Sequence, residues 1–436
     1  MTFSISIFFM FGGDLRVSDF RFQAQTKERN FVLFPPAPTK DRISMFTAVM
    51  FLLKIGIASD PFMSSQNYDC GIIQAFLLCF ALLLLMQLSI HLYIKCWFFG
   101  AAYNYTDLFS IIFGHRFRFI PIFLNVAIFS SFIIWHTYEI YHNLQLFIIE
   151  LWPSSSSFLT NKWFLSYFIN SFTLIPIILV KRLTHLKFIA YAGNISVLVA
   201  MICAISIFYH QYMNNETMMS QGKQMKLFSS DLKSSLECIN SFNEAFFIHS
   251  MIQLIFCDMN NPTISRCLGA TWIQGIISAF VHFIGYLICT FASTDRKEMN
   301  FFYNFDPHLP EVFCGRIATY IITITSSQIY TYYLSTQLSA VVFTVRTFDA
   351  APVFILGMNL IFLTIGLNFI SELIITIFDF VASVGFVFLI YVFPCVFYLK
   401  LYRFSRPVMS FLAIFLMVIG IPLSAVLMYF SLTFHL

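Results

Sequence analysis

Leu236-Glu237-Cys238-Ile239-Asn240-Ser241-Phe242-Asn243-Glu244-Ala245-Phe246-Phe247-Ile248-His249-Ser250-Met251-Ile252-Gln253-Leu254-Ile255-Phe256-Cys257-Asp258-Met259-Asn260-Asn261-Pro262 is the stretch on which the fold turns. It is long enough to cross a bilayer, which takes about 20 residues. Polar side chains interrupt it: Asn243, Glu244, His249, Ser250 and Gln253. Hydrocarbon tolerates such groups only where they face other helices or a wet cavity. A spanning segment broken in its middle is the mark of a transporter binding site.

The surrounding composition agrees. The 436 residues are 59% hydrophobic and 11% charged, with 57 Phe and a mean hydropathy of +0.79. A soluble domain carries about 25% charge, so the chain reads as an integral membrane protein. Ten Cys without CxxC or other metal-ligand spacing argue against zinc and redox frameworks, and no cofactor is expected beyond Na+ or H+ as a coupling ion. The net charge of +4 makes no case for nucleic acid. No HExxH motif and no paired carboxylates at membrane depth support an enzyme.

Residues 1–42 read as a basic cytosolic tail containing Pro35-Pro36-Ala37-Pro38, and residues 43–436 as one transmembrane domain. Eleven spans are expected near 44–66, 71–95, 118–150, 162–181, 187–210, 236–258, 267–292, 313–344, 352–374, 376–400 and 407–433. With the N-terminus inside, the cytosolic segments and their edges hold 17 of the 25 Lys and Arg, the other side seven, and Lys54 lies within the first span. That bias favours a cytosolic N-terminus. The sequon Asn215-Glu216-Thr217 then falls outside as a glycosylation acceptor, while Asn104-Tyr105-Thr106 falls inside and Asn194-Ile195-Ser196 within a span.

The first span is also interrupted: Lys54-Ile55-Gly56-Ile57-Ala58-Ser59-Asp60-Pro61. Pro61 removes a backbone donor and crowds the carbonyl four residues earlier, and Gly56 lets a ligand approach the backbone. A simple proline kink with a snorkelling lysine is an equally open reading of this span alone. Breaks five helices apart fit inverted repeats of helices 1–5 and 6–10. The eighth span carries Thr319, Thr323, Thr325, Ser326, Ser327, Gln328 and Thr331. Hydroxyl and freed carbonyl oxygens suit a hard cation, although Ser and Thr also bond to their own helix carbonyls.

In order and spacing, His249-Ser250, Ile255-Phe256-Cys257-Asp258, Pro262 and Arg266 resemble a run in the amino acid/auxin permease family, nearest its sodium-coupled neutral amino acid branch. Gly285-Tyr286-Leu287, Cys314-Gly315-Arg316 with Thr323-Ile324-Thr325, Leu183 to Asn194, and Ala382-Ser383-Val384-Gly385 with Pro394 are similar to further family segments. The first span departs from the family pattern: Lys54 stands where a Gly is usual and Asp60 where a Leu is usual. Lys54 there could pair with a substrate carboxylate, occupy a cation site or fill the pocket.

The resemblance implies an all-α, LeuT-like fold of two inverted five-helix repeats plus an eleventh helix. It implies a secondary transporter of neutral amino acids in the plasma membrane or a lysosomal or vacuolar membrane. Substrate is expected at Lys54, Ile55, Gly56, Ile57, Ala58, Asn243, Ala245, Phe246 and His249, and Na+ between Gly56, Thr323 and Thr325. A transport-inactive sensor or scaffold of the same fold is the alternative.

Overall fold

The computed structural model describes residues 42–57, 60–62, 70–100, 102, 105–152, 158–178, 180, 182–214, 227–292, 300–342, 372–402 and 405–435. The expected tail, Ala58, the sequon at Asn215 and nearly all of the ninth span lie outside these residues.

The described residues are helical throughout, apart from turns and one isolated bridge. The first span is a short helix, α1 (Met45–Ile57), followed by a single 3₁₀ turn over Asp60–Phe62. Then come α2 (Ile72–Gly100), the short α3 (Tyr105–Phe113), α4 (Phe119–Leu151), α5 (Lys162–Ile178) and α6 (Lys187–Met213). The sixth span is two helices, α7 (Leu232–Ala245) and α8 (His249–Asp258). The chain continues through α9 (Ile264–Ala292), α10 (Pro310–Val342), α11 (Glu372–Val387), α12 (Phe393–Tyr402) and α13 (Pro407–His435). A π turn over Phe388–Val392 joins α11 to α12, so the tenth span is one bent rod.

Among the described residues, five segments are long and apolar enough to cross a membrane: Ile72–Gly100, Phe119–Glu150, Leu183–Met213, Ile264–Ala292 and Phe380–Tyr402. The helices of the first and sixth spans have only 13, 14 and 10 residues, because each span is broken where it would otherwise cross. α10 has 33 residues, but its run of hydroxyls lowers its hydropathy.

A main-chain clasp relates the two broken spans. Ile43 N–H donates to Asp258 O (2.9 Å) and Asn260 N–H donates to Ile43 O (2.8 Å). The start of α1 and the end of α8 therefore share one face of the molecule, and the two helices run in opposite directions. Arg266 fixes the turn beyond α8, its Nη1 donating to the carbonyls of Asn260 and Asn261 (2.9 Å each). This accounts physically for Arg266 a few residues after the turn.

α1 packs against α6 and α9, and α2 packs against α9 and α12. α10 lies along α6, α4 and α5, while α11 lies along α4 and α13. Small residues allow the tightest approaches. A Cβ on Gly285 of α9 would come within 2.7 Å of Pro61 O, so only glycine lets the turn after α1 settle there. At the far end of α4, Arg316 ion-pairs with Glu150, and its guanidinium also donates to Phe302 O (3.2 Å) and Phe305 O (3.1 Å) and covers the Tyr303 ring.

Candidate functional site

The sixth span breaks at residues 246–248. The helix tightens first: Phe246 N–H still donates to Phe242 O, but Phe247 N–H donates three residues back to Glu244 O (3.1 Å). α8 restarts at His249, where the first amides of a helix have no carbonyl partner within it. Phe247 turns into an aromatic wall, meeting Phe386 edge-on at 4.7 Å and Phe129 at 6.1 Å. Phe129 in turn packs against Tyr330 and Tyr333.

The two breaks meet at Gly56. A Cβ on Gly56 would stand 2.8 Å from Ala245 O and 3.4 Å from Ser278 Oγ, and it would collide with Gln274 Nε2. Ser278 Oγ donates to Ala245 O (3.3 Å), and His282 Nε2 donates to Gly56 O (3.1 Å). Gln274, Ser278 and His282 are therefore one polar stripe on α9, at i, i+4 and i+8, facing both broken spans. Sequence reading missed all three. The signal was there, since three polar residues four apart in an apolar span must share a buried face.

The tenth span holds both halves of the sixth. Pro394 has no N–H, so the carbonyl four residues earlier loses its helical partner. That carbonyl, Ile390 O, accepts from Ser89 Oγ of α2. Ser89 also meets His249 Nε2 at 3.0 Å. Because the single Ser89 hydrogen goes to Ile390, the His249 Nε2–H is the donor and Nδ1 is left as a bare acceptor. Upstream, Tyr391 Oη donates to Asn243 Oδ1 (2.6 Å). Pro394, expected as a kink, thus positions His249 through Ser89.

Three buried polar atoms around the break have no hydrogen-bond partner among the described residues: Asn243 Nδ2, Gln274 Nε2 and His249 Nδ1. Two are donors and one is an acceptor. Leaving such groups dry costs about 1–3 kcal/mol each, which is sustained where a ligand pairs them.

The remaining expected residues take other places. Ile55 O accepts from Tyr330 Oη (3.0 Å), and Ile57 and Phe246 are buried, with Phe246 stacked on Phe242. Lys54 has an exposure of 0% and turns away from Gly56 toward α6 and α10; residues two apart on a helix do not share a face. Thr323 Oγ1 donates to Thr319 O (3.0 Å), and Thr325 Oγ1 to Ile321 O (2.7 Å) and Ile322 O (3.0 Å). Each hydroxyl hydrogen is spent on its own helix, and only lone pairs remain. Asn194 is buried with its Nδ2 donating to Met50 O (2.7 Å), so this sequon is a packing residue.

No protein-family model matches the sequence. The fold is similar to that of two solved transporters. One is Mhp1, a nucleobase-cation-symport-1 family transporter, in a closed conformation with bromovinylhydantoin bound (TM-score 0.57, 14% identity, 91% of this chain and 96% of that one). The other is MhsT in complex with L-phenylalanine (TM-score 0.59, 14% identity, 89% of this chain and 97% of that one). The chain has the LeuT-like fold: an all-α, multi-pass membrane protein of two inverted five-helix repeats with one helix more.

Proposed function

We propose that this protein is a secondary transporter of neutral α-amino acids, of the amino acid/auxin permease type, binding its substrate between the two broken spans. The observation that carries the reading is the set of unpaired atoms at the break. An α-carboxylate is an acceptor and complements the amide donors Asn243 Nδ2 and Gln274 Nε2. The N-terminal end of α8, the positive end of its helix dipole, favours the same anionic group. An α-ammonium is a donor and complements His249 Nδ1. One zwitterion satisfies all three. The aromatic wall of Phe129, Phe247, Phe386 and Tyr330 suits an apolar side chain. The likeness to a fold that holds L-phenylalanine in MhsT supports this substrate class. Alternating access then follows from rocking of spans 1, 2, 6 and 7 against the rest.

Lys54 favours a second reading, a sensor that binds an amino acid without moving it, because a fixed buried charge beside α1 can hold that helix in one position. One experiment separates the two. Purified protein in liposomes is offered each of the twenty amino acids under sodium and proton gradients, and binding is followed in parallel by thermal stabilisation. Saturable uptake of neutral amino acids is the expected result. Stabilisation without flux supports the sensor, and neither flux nor stabilisation refutes both.

A further inference from the structure

The start of α2 is stitched to the chain that opens the sixth span. Ile73 N–H donates to Leu227 O (3.1 Å). The Gln74 side chain accepts from Ser229 N–H (2.9 Å) and donates to Ser235 Oγ (2.8 Å). Gly71 has a φ of +74°, and a Cβ there would lie 2.8 Å from Leu227 O, so glycine lets the two segments close on each other.

Cys70 and Cys238 lie at the end of this stitch. Cys70 is four residues before Gln74, and Cys238 is three residues after Ser235, one turn further along α7. The two thiols share a hydrogen bond, and Ser235 holds a second one to Cys70. Both side chains are buried, with exposures of 0% and 2%. Cys79 of α2 is a third thiol nearby, but its Sγ donates to Ala279 O of α9 (3.8 Å).

Two thiols buried against each other are packing in a reducing compartment and a disulfide in an oxidising one. The Lys and Arg distribution favours a cytosolic N-terminus. The clasp of Ile43 with Asp258 and Asn260 then marks the cytosolic face, while Cys70 and the start of α7 lie at the opposite ends of their spans. That end meets the exterior or an organelle lumen, where disulfides persist. Sulfurs already in contact reach a bond of about 2.0 Å with small movements.

We propose that Cys70 and Cys238 form a disulfide in the mature protein, stapling the turn before α2 to α7 on the face opposite the clasp. Because both thiols end buried, the bond forms as the chain folds, by exchange with a disulfide oxidant such as glutathione disulfide or an oxidoreductase. One cysteine thiolate attacks the oxidant, whose first sulfur leaves and takes up a proton. The other thiolate displaces the second sulfur, which does the same. Two protein thiols are oxidised to one disulfide, and the oxidant's disulfide is reduced to two thiols. The bond lies wholly within spans 1, 2, 6 and 7, so on the transport reading it moves with the rocking body and leaves access free to alternate. That consequence rests on the transport reading; the bond is testable apart from it.

Full-length protein in membranes is denatured in excess N-ethylmaleimide, digested without reduction and mapped by mass spectrometry. Peptides containing Cys70 and Cys238 are expected linked to each other, and separate after reduction. N-ethylmaleimide on both cysteines overturns the proposal, as does Cys238 linked to Cys79 or to any other cysteine. Linked peptides in protein that moves no amino acid uphold the bond and count against transport alone.

Variants give a second reading. The bond closes a loop of 168 positions (238 minus 70), so Cys70→Ala and Cys238→Ala are each expected to lower Tm by about 5 °C. The double variant is expected to fall little further, because either change alone already removes the bond. Losses that add overturn the proposal, since separately packed thiols behave that way. If a variant does not fold, the peptide map decides.

Discussion

The two broken spans solve the same problem in opposite ways. Three carbonyls of α1 are taken by other helices: Met50 O by Asn194, Ile55 O by Tyr330 and Gly56 O by His282. The space beside α1 is filled by its own Lys54. At residues 246–248 the Ala245 carbonyl is taken by Ser278, but Asn243 Nδ2, Gln274 Nε2 and His249 Nδ1 have no partner among the described residues. At the first break Ile55 and Gly56 are answered by other helices, and at the second three buried polar atoms are left for a ligand. A break in a membrane helix is therefore not in itself a binding site. What decides is whether the polar groups it frees are answered by the chain.

Substitutions can break or sharpen this contrast, and Gly56→Val is expected to act most strongly. Its Cβ would meet the Ala245 carbonyl at 2.8 Å, a backbone atom that cannot rotate away. Uptake should fall by about a hundredfold, with a folding cost of about 1–3 kcal/mol from overpacking; proteoliposome flux and Tm measure the two. Gly193→Ala comes next. It crowds Lys54 and Thr325 and should lower stability by about 1–3 kcal/mol. The same change in a Lys54→Gly background should cost less, with a coupling of about 0.5–3 kcal/mol in a double-mutant cycle. Additivity there would place Lys54 elsewhere.

Ser89→Ala leaves Ile390 O and His249 Nε2 without their shared partner, and each buried group costs about 1–3 kcal/mol if nothing replaces it. Because the loss also frees the His249 ring, apparent substrate affinity should fall along with Tm. Tyr391→Phe is the mildest change. It removes one hydrogen bond to Asn243, worth about 1 kcal/mol, and should weaken substrate binding a few-fold with little change in Tm. An effect larger than that of Gly56→Val would mean that the tenth span, not α1, shapes the site.

Much of this was legible in the sequence. Polar residues inside a hydrophobic span located the break at Asn243 to His249, and Gly56 with Pro61 located its partner. The helical membrane fold followed from hydropathy. The contacts across spans were not legible. Nothing local in Gln274, Ser278 and His282 says that α9 touches both breaks. Nor could Lys54 be aimed from sequence, because its direction depends on a space left by Gly193, which lies 139 positions later in the numbering (193 minus 54). The Thr323 and Thr325 pair read as ion ligands by residue type, yet the structure shows that both hydroxyls first serve their own helix. Pro394 read as a kink. Its consequence for His249 needed Ser89 in place.

The most direct test of the central claim, that the sixth-span break awaits a zwitterion, compares each amino acid with its decarboxylated amine. Thermal stabilisation of the wild-type protein and of Gln274→Leu is measured with L-phenylalanine and with phenethylamine. Stabilisation by L-phenylalanine, little by the amine, and loss of that preference in Gln274→Leu is the predicted result. Equal stabilisation by both compounds, or a carboxylate preference untouched in Gln274→Leu, would contradict it.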